Sequence, residues 1–151
     1  MRGRKVLALT AAVLASMLVL TSCKEQQSSG NLRIQVGVAS YNQGDTFISE
    51  LVRSFKEQLS QYESDEITTT VTVKDAAGVQ RTQDDQVEEL IDSGCNVLCV
   101  NLVDRTDPSE IIDLARENDV PIIFFNREPV AEDLMQWSGL YYVGAYAEQS
   151  G

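Results

Sequence analysis

Apolar positions switch between two periods along the chain, and each switch marks a change of element. Leu32 to Ala39 alternates into a run rich in Val and Ile, and after a short polar turn Ile48, Leu51, Val52, Phe55 and Leu59 fall at helical spacing within Thr46 to Tyr62. A strand and an amphipathic helix are predicted. Thr68 to Val73 is β-branched, a turn follows with Gly78, and Thr82 to Ser93 sets Val87, Leu90 and Ile91 on one helical face before Gly94 closes it. Val97 to Val103 is an apolar strand interrupted only by Asn101, and Pro108 to Asn118 follows as a helix with proline near its first turn. Pro121 to Phe125 gives a fourth strand and Leu140 to Val143 a fifth.

Strands that are apolar throughout, rather than alternating, imply a sheet covered on both faces. Right-handed crossovers between parallel strands then give an α/β fold with a doubly wound parallel sheet in the order 2-1-3-4-5. Ligands of such sheets bind beyond the carboxyl ends of the strands, near the point where the order reverses. The segments to search are Tyr41 to Phe47, Asn101 to Asp107 and Asn126 to Pro129.

Ahead of this rhythm, Arg2, Arg4 and Lys5 precede an apolar run from Val6 to Leu20. That run is about fifteen residues, short of the ~20 that cross a hydrocarbon core. Residues 1–22 therefore read as a secretory signal peptide, with an ordinary unlipidated signal as the plainer alternative. Leu20-Thr21-Ser22-Cys23 resembles the bacterial lipobox, which implies that Cys23 becomes the lipidated first residue of the mature chain. Two or more acyl chains anchor far better than one. Residues 23–31, polar and carrying Ser and Gly, form a flexible tether, and residues 32–151 form the globular unit.

The full sequence has 12 basic and 23 acidic residues, no histidine, and a formal net charge of -11. Removal of the leader takes three basic residues and no acidic one, leaving nine against 23 and a net charge of -14. Such acidity disfavours nucleic acid as a partner and the capture of an anion by surface charge. An uncharged polyol is indifferent to such a field. Cys95 and Cys99, four apart on a strand, would lie roughly 13 Å apart at ~3.3 Å per residue, against the ~7 Å that a disulfide tolerates. Without histidine or a CxxC pair they read as two small buried side chains rather than a zinc or redox site.

The strand tails carry Tyr41, Asn42, Asp45 and Phe47, then Asn101 and Asp104, then Asn126, Arg127 and Glu128. Planar Asp and Asn groups suit sugar hydroxyls, which both donate and accept, and Phe47 offers an apolar face for the C–H side of a ring. No GxGxxG cradle follows the first strand and no GxSxG elbow occurs, so a dinucleotide enzyme or a serine hydrolase is disfavoured. A lipid-anchored, metal-dependent hydrolase using Asp45, Asp75 and Asp104 is the rival from another class. Most other acidic residues fall on presumed helix faces as solvated charge.

The strings Val36-Gly37-Val38, Asp45-Thr46-Phe47, Asn101-Leu102-Val103-Asp104, Val120 through Pro129, and Tyr141-Tyr142-Val143-Gly144 resemble the galactose/glucose-binding protein family of bacterial ABC importers, which are type I periplasmic binding proteins. The resemblance covers Leu32 to Gly151. It implies a non-catalytic N-terminal lobe that takes up a hexose outside the cytoplasm, favours glucose or galactose over ribose, and leaves another small sugar open. It implies that Asp45 accepts sugar hydroxyls, Phe47 stacks under the ring and Asn126 bonds to the sugar, with Arg127 where a lysine is common. Tyr41 and Asn101 are further candidates, Asn101 more as a support of its strand end. The implied partners are a membrane permease, a chemoreceptor or sensor, and the membrane itself through lipidated Cys23. The family's second lobe, with its second aromatic and its calcium loop, would follow Gly151, so no cofactor or metal is expected in this chain. A sugar-sensing repressor domain shares the lobe fold, but the leader and the lack of a basic helix-turn-helix argue against it.

Overall fold

The computed structural model describes residues 31–145. The leader, Cys23 and all of the tether except Asn31 lie outside them. The elements follow in the order β1 (Leu32–Ser40), α1 (Thr46–Ser60), β2 (Ile67–Asp75), α2 (Gln80–Asp92), β3 (Val97–Val100), α3 (Ser109–Glu117), β4 (Ile122–Phe125), α4 (Ala131–Leu134) and β5 (Leu140–Val143). All strand pairs are parallel and the sheet order is β2-β1-β3-β4-β5, as the crossover argument requires. No helix among the described residues is long and apolar enough to cross a membrane.

Alternation along the strands divides the core into two. Ala39, Leu98, Val100, Ile122, Phe124 and Leu140 point to the face covered by α2 and α3, where they meet Val87, Leu90, Ile111, Ile112 and Ala115. Each fully buried Leu, Ile or Phe there contributes about 1.5–3 kcal/mol, so Phe124→Ala alone would cost about 3–5 kcal/mol. Gly37 lets α2 come close: a Cβ at this position would stand 3.1 Å from atoms of both Leu90 and Leu98. Val36, Val38 and Cys99 point to the other face, against Ile48 and Val52 of α1.

That second face is covered unevenly. α1 packs over the β2-β1-β3 side, while Tyr141 and Val143 of the edge strand β5 remain 55% and 63% exposed. Between α1 and β4-β5 runs a groove of about 770 Å³ lined by Leu51, Phe55, Cys99, Ile123, Phe125 and Val143. Cys95 and Cys99 are both free and buried, and burial pushes the Cys99 thiol up to about 11.

Three local expectations are corrected. The strand expected to run to Val103 leaves the ladder after Val100, because side chains of α2 take over its backbone groups: Val103 N–H donates to Gln83 Oε1 at 2.9 Å and Asp104 N–H to Gln80 Oε1 at 2.8 Å. The second helix starts at Gln80 rather than Thr82. A short helix, Ala131–Leu134, stands where none was expected, and it packs Leu134 with Trp137 against the larger core.

Candidate functional site

The tails of β1, β3 and β4 converge, and a chain of polar contacts ties them together. Asp45 is the N-cap of α1, its backbone extended and its Oδ1 accepting from the amides of Phe47 at 2.8 Å and Ile48 at 3.3 Å. An Asp in this position satisfies donors that a helix start leaves free. Its other oxygen, Oδ2, accepts a hydrogen bond from the Tyr41 hydroxyl. That bond is the main cause that holds the Asp45 carboxyl below the usual carboxylate range, followed by the helix amides and, more weakly, the Arg127 charge. The same bond raises the Tyr41 hydroxyl above the ordinary phenol value.

Arg127 lies over the Tyr41 ring with its guanidinium carbon 3.9 Å from the centroid. Its Nη1 donates to the carbonyls of Leu102 at 3.2 Å and Val103 at 2.9 Å. One side chain from the tail of β4 thus reaches both other tails. Asn126 precedes it in a left-handed conformation, φ 63°, which asparagine tolerates better than most residues. Its amide donates to Val143 O at 3.2 Å and its side chain is exposed.

Asn101, fully buried, donates from Nδ2 to Phe125 O at 3.1 Å and so couples β3 to β4. Its Oδ1 and the neighbouring Ser40 Oγ are buried without a hydrogen-bond partner among the described residues. Behind Asn101 stands Gln83, also fully buried, which donates from Nε2 to Asn101 O at 2.8 Å and to Ala39 O at 3.3 Å. Gln80 and Gln83 were not expected at the site. The signal was present, since Gln83, Val87 and Leu90 share one helical face and a polar residue on a core-facing position demands partners.

Phe47 is 64% exposed at the start of α1, off the face formed by Ile48 and Val52. The site therefore combines an exposed aromatic face, an ionised carboxylate, a free primary amide and a half-buried guanidinium, with Tyr41 and Asn101 serving as internal supports. Asp75 and Asp104, the other carboxylates of the hydrolase reading, are committed to turns. Asp75 Oδ1 accepts from the amides of Gln43 and Ala77, both at 3.0 Å. Asp104 Oδ1 accepts from the Thr106 hydroxyl and amide, which hold its carboxyl below the usual range. No group of three His, Cys, Asp or Glu side chains that could hold a metal occurs among the described residues.

The groove beside α1 adjoins this rim, since Phe47 and Asn126 both line it. Apart from Asn126 at one end its walls are almost wholly apolar, so it offers hydroxyls little to bond with.

Residues 36–151 match the family model described as periplasmic binding protein domain. The chain is 27% identical over 140 residues to the D-galactose/methyl-galactoside binding periplasmic protein of Haemophilus influenzae, an alignment that covers 93% of this chain and 41% of that protein. Among solved structures, an ABC transporter solute binding protein from Bacillus halodurans with bound myo-inositol aligns with TM-score 0.54 and 27% identity over 71% of this chain and 35% of its own. A carbohydrate transporter solute binding protein from Chloroflexus aurantiacus in complex with D-glucose aligns with TM-score 0.60 and 22% identity over 74% of this chain and 30% of its own. The chain thus spans about two-fifths of the length of the curated relative and about a third of these structures.

Proposed function

The chain belongs to the periplasmic binding protein domain family, and from that premise we propose that it is a sugar-binding lobe that takes up a hexose of the glucose or galactose type outside the cytoplasm and presents it, unconverted, to an ABC transporter permease. The carrying observation is the convergence of three strand tails on one rim, with the exposed Phe47 ring beside the Asp45 carboxylate and the free Asn126 amide. An ionised carboxylate accepts about four hydrogen bonds. Asp45 uses three of these directions within the lobe, for Tyr41, Phe47 and Ile48, so one remains for a hydroxyl.

Asn126 supplies both a donor and an acceptor, as a hydroxyl pair requires, and Phe47 supplies the apolar face for the ring C–H groups. Among the described residues Arg127 donates from Nη1 to two carbonyls, and a guanidinium carries further N–H donors. Hinge closure around a ligand is an established motion of periplasmic binding proteins. In this reading a second lobe closes over the rim, residues 1–22 are removed on export, and lipid on Cys23 holds the protein at the membrane. A chemoreceptor or sensor is a second proposed partner, supported by family resemblance alone.

The test is calorimetric titration of the protein as encoded with D-glucose, D-galactose, D-ribose and myo-inositol. Tightest binding of one of the two hexoses supports the proposal. Tighter binding of ribose or inositol, or no binding of any, removes the hexose assignment.

A further inference from the structure

Three arginines and one lysine among the described residues pair with carboxylates: Arg53, Arg81, Arg116 and Lys74. Arg127 is spent differently, since its Nη1 goes to two backbone carbonyls and its plane to a tyrosine ring. We propose that Arg127 is a positioning residue, a clamp that locks the tails of β1, β3 and β4 into one rim and so fixes Asp45 and Asn126 relative to each other before ligand arrives. This inference rests on the sugar-site reading and names how that site is pre-organised.

The route can be followed atom by atom. β3 leaves the ladder after Val100, so the carbonyls of Leu102 and Val103 have no strand partner, and Arg127 supplies donors to both. Buried carbonyls without donors are costly, and a guanidinium that meets two at once restrains the segment that carries them. The same guanidinium rests on Tyr41, whose hydroxyl holds Asp45 Oδ2, while Asp45 Oδ1 holds the start of α1 and with it Phe47. At its own root Arg127 adjoins Asn126 and donates its amide to Phe125 O at 2.7 Å, closing a tight turn that sets the left-handed Asn126 on the rim. Every ligand-facing group named above is therefore within three contacts of this side chain. A lysine ammonium could meet both carbonyls from its one nitrogen, as Nη1 does here, but it has no plane to lay flat on the tyrosine ring.

Arg127→Met retains length and apolar cover over Tyr41 but loses the charge and all N–H donors, and Tyr41→Leu removes the ring. The ligand-free arm measures amide hydrogen exchange. In Arg127→Met the rim amides of Phe47, Ile48 and Val103 should exchange roughly tenfold faster than in the parent, while strand amides such as Leu98 keep their protection. The binding arm titrates D-glucose and D-galactose. Each single variant should weaken the preferred hexose roughly tenfold through lost pre-organisation. The double variant should lose little more than either single, as expected of residues acting as one unit. Arg127→Lys should fall between parent and Arg127→Met in both arms. Rim amides that exchange at the parent rate, strand amides that accelerate equally, or additive losses in the double variant would each overturn the clamp. A parent that binds no hexose would instead remove the functional reading, while the exchange arm still decides the clamp.

Discussion

Gln83→Leu tests whether the site is braced from behind by a helix that does not line it. The leucine is close to glutamine in volume, so packing changes little, but the hydrogen-bond ledger changes sharply. Ala39 O keeps a donor, because it also accepts from Asn101 N–H at 3.0 Å. Asn101 O and Val103 N–H lose their Gln83 partner, which bonds them at 2.8 Å and 2.9 Å. An unsatisfied buried backbone group costs about 1–3 kcal/mol, with the half-buried Val103 at the low end. Extra apolar burial by leucine returns roughly 1 kcal/mol, so the net loss is about 1–3 kcal/mol. Urea unfolding followed by circular dichroism, with an unchanged slope, reads this directly. Gln83→Glu keeps the acceptor for Val103 but sets a carboxylate against Asn101 O, so it should be worse than leucine at neutral pH and recover in acid as the carboxyl protonates. A leucine variant within about 0.5 kcal/mol of the parent would refute the reasoning, since it would mean that the tail of β3 does not depend on Gln83.

Phe47→Ala should leave the urea midpoint nearly unchanged, because the ring is largely exposed, while weakening hexose binding roughly tenfold in calorimetry; loss of stability with intact binding would return Phe47 to the core. The Asp45 carboxyl is held below its unfolded value, chiefly by Tyr41, so its contribution is present above that value and lost as pH falls through the lower folded one. Asp45→Asn should flatten this part of the acid limb in urea titrations at successive pH values. Asp84 is the opposite case, raised by burial: the fold favours its neutral form, so stability is lost as pH rises through the folded value. Asp84→Asn should therefore raise the urea midpoint at neutral pH, and the gain should vanish in acid. Cys23→Ser should move the protein from the membrane to the soluble fraction, and retention of the variant in the membrane would refute anchoring by lipid.

The strand order and the three tails were legible because they follow from periodicity and crossover handedness alone. The end of β3 was not, because apolar pattern reports burial rather than pairing: Leu102 is fully buried although the ladder has already stopped at Val100. Asp45 was readable as a sugar acceptor by resemblance, and its role as helix cap was equally readable from an Asp directly before the first helical residue. Phe47 lies four residues before Leu51 and eight before Phe55, at the edge of the Ile48, Leu51, Val52, Phe55 stripe, so the spacing left its burial open. The contacts of Arg127 with carbonyls 24 and 25 residues away, and with Tyr41, lie between segments that only the folded sheet brings together.

Position 126 meets two demands with one residue. Its backbone needs a left-handed conformation to turn the chain off β4, and the proposed ligand needs a side chain that donates and accepts. Glycine meets the first demand without the second, and glutamine the second without the first. Aspartate tolerates the backbone but, ionised, only accepts, so the alphabet that meets both demands is close to asparagine alone. In a saturation library screened only for folded protein, codons for Asn, Asp and Gly should already be enriched at this site. A retuning of sugar preference would have to proceed through neighbours such as Asn42 or Glu128, whose backbones carry no such restriction.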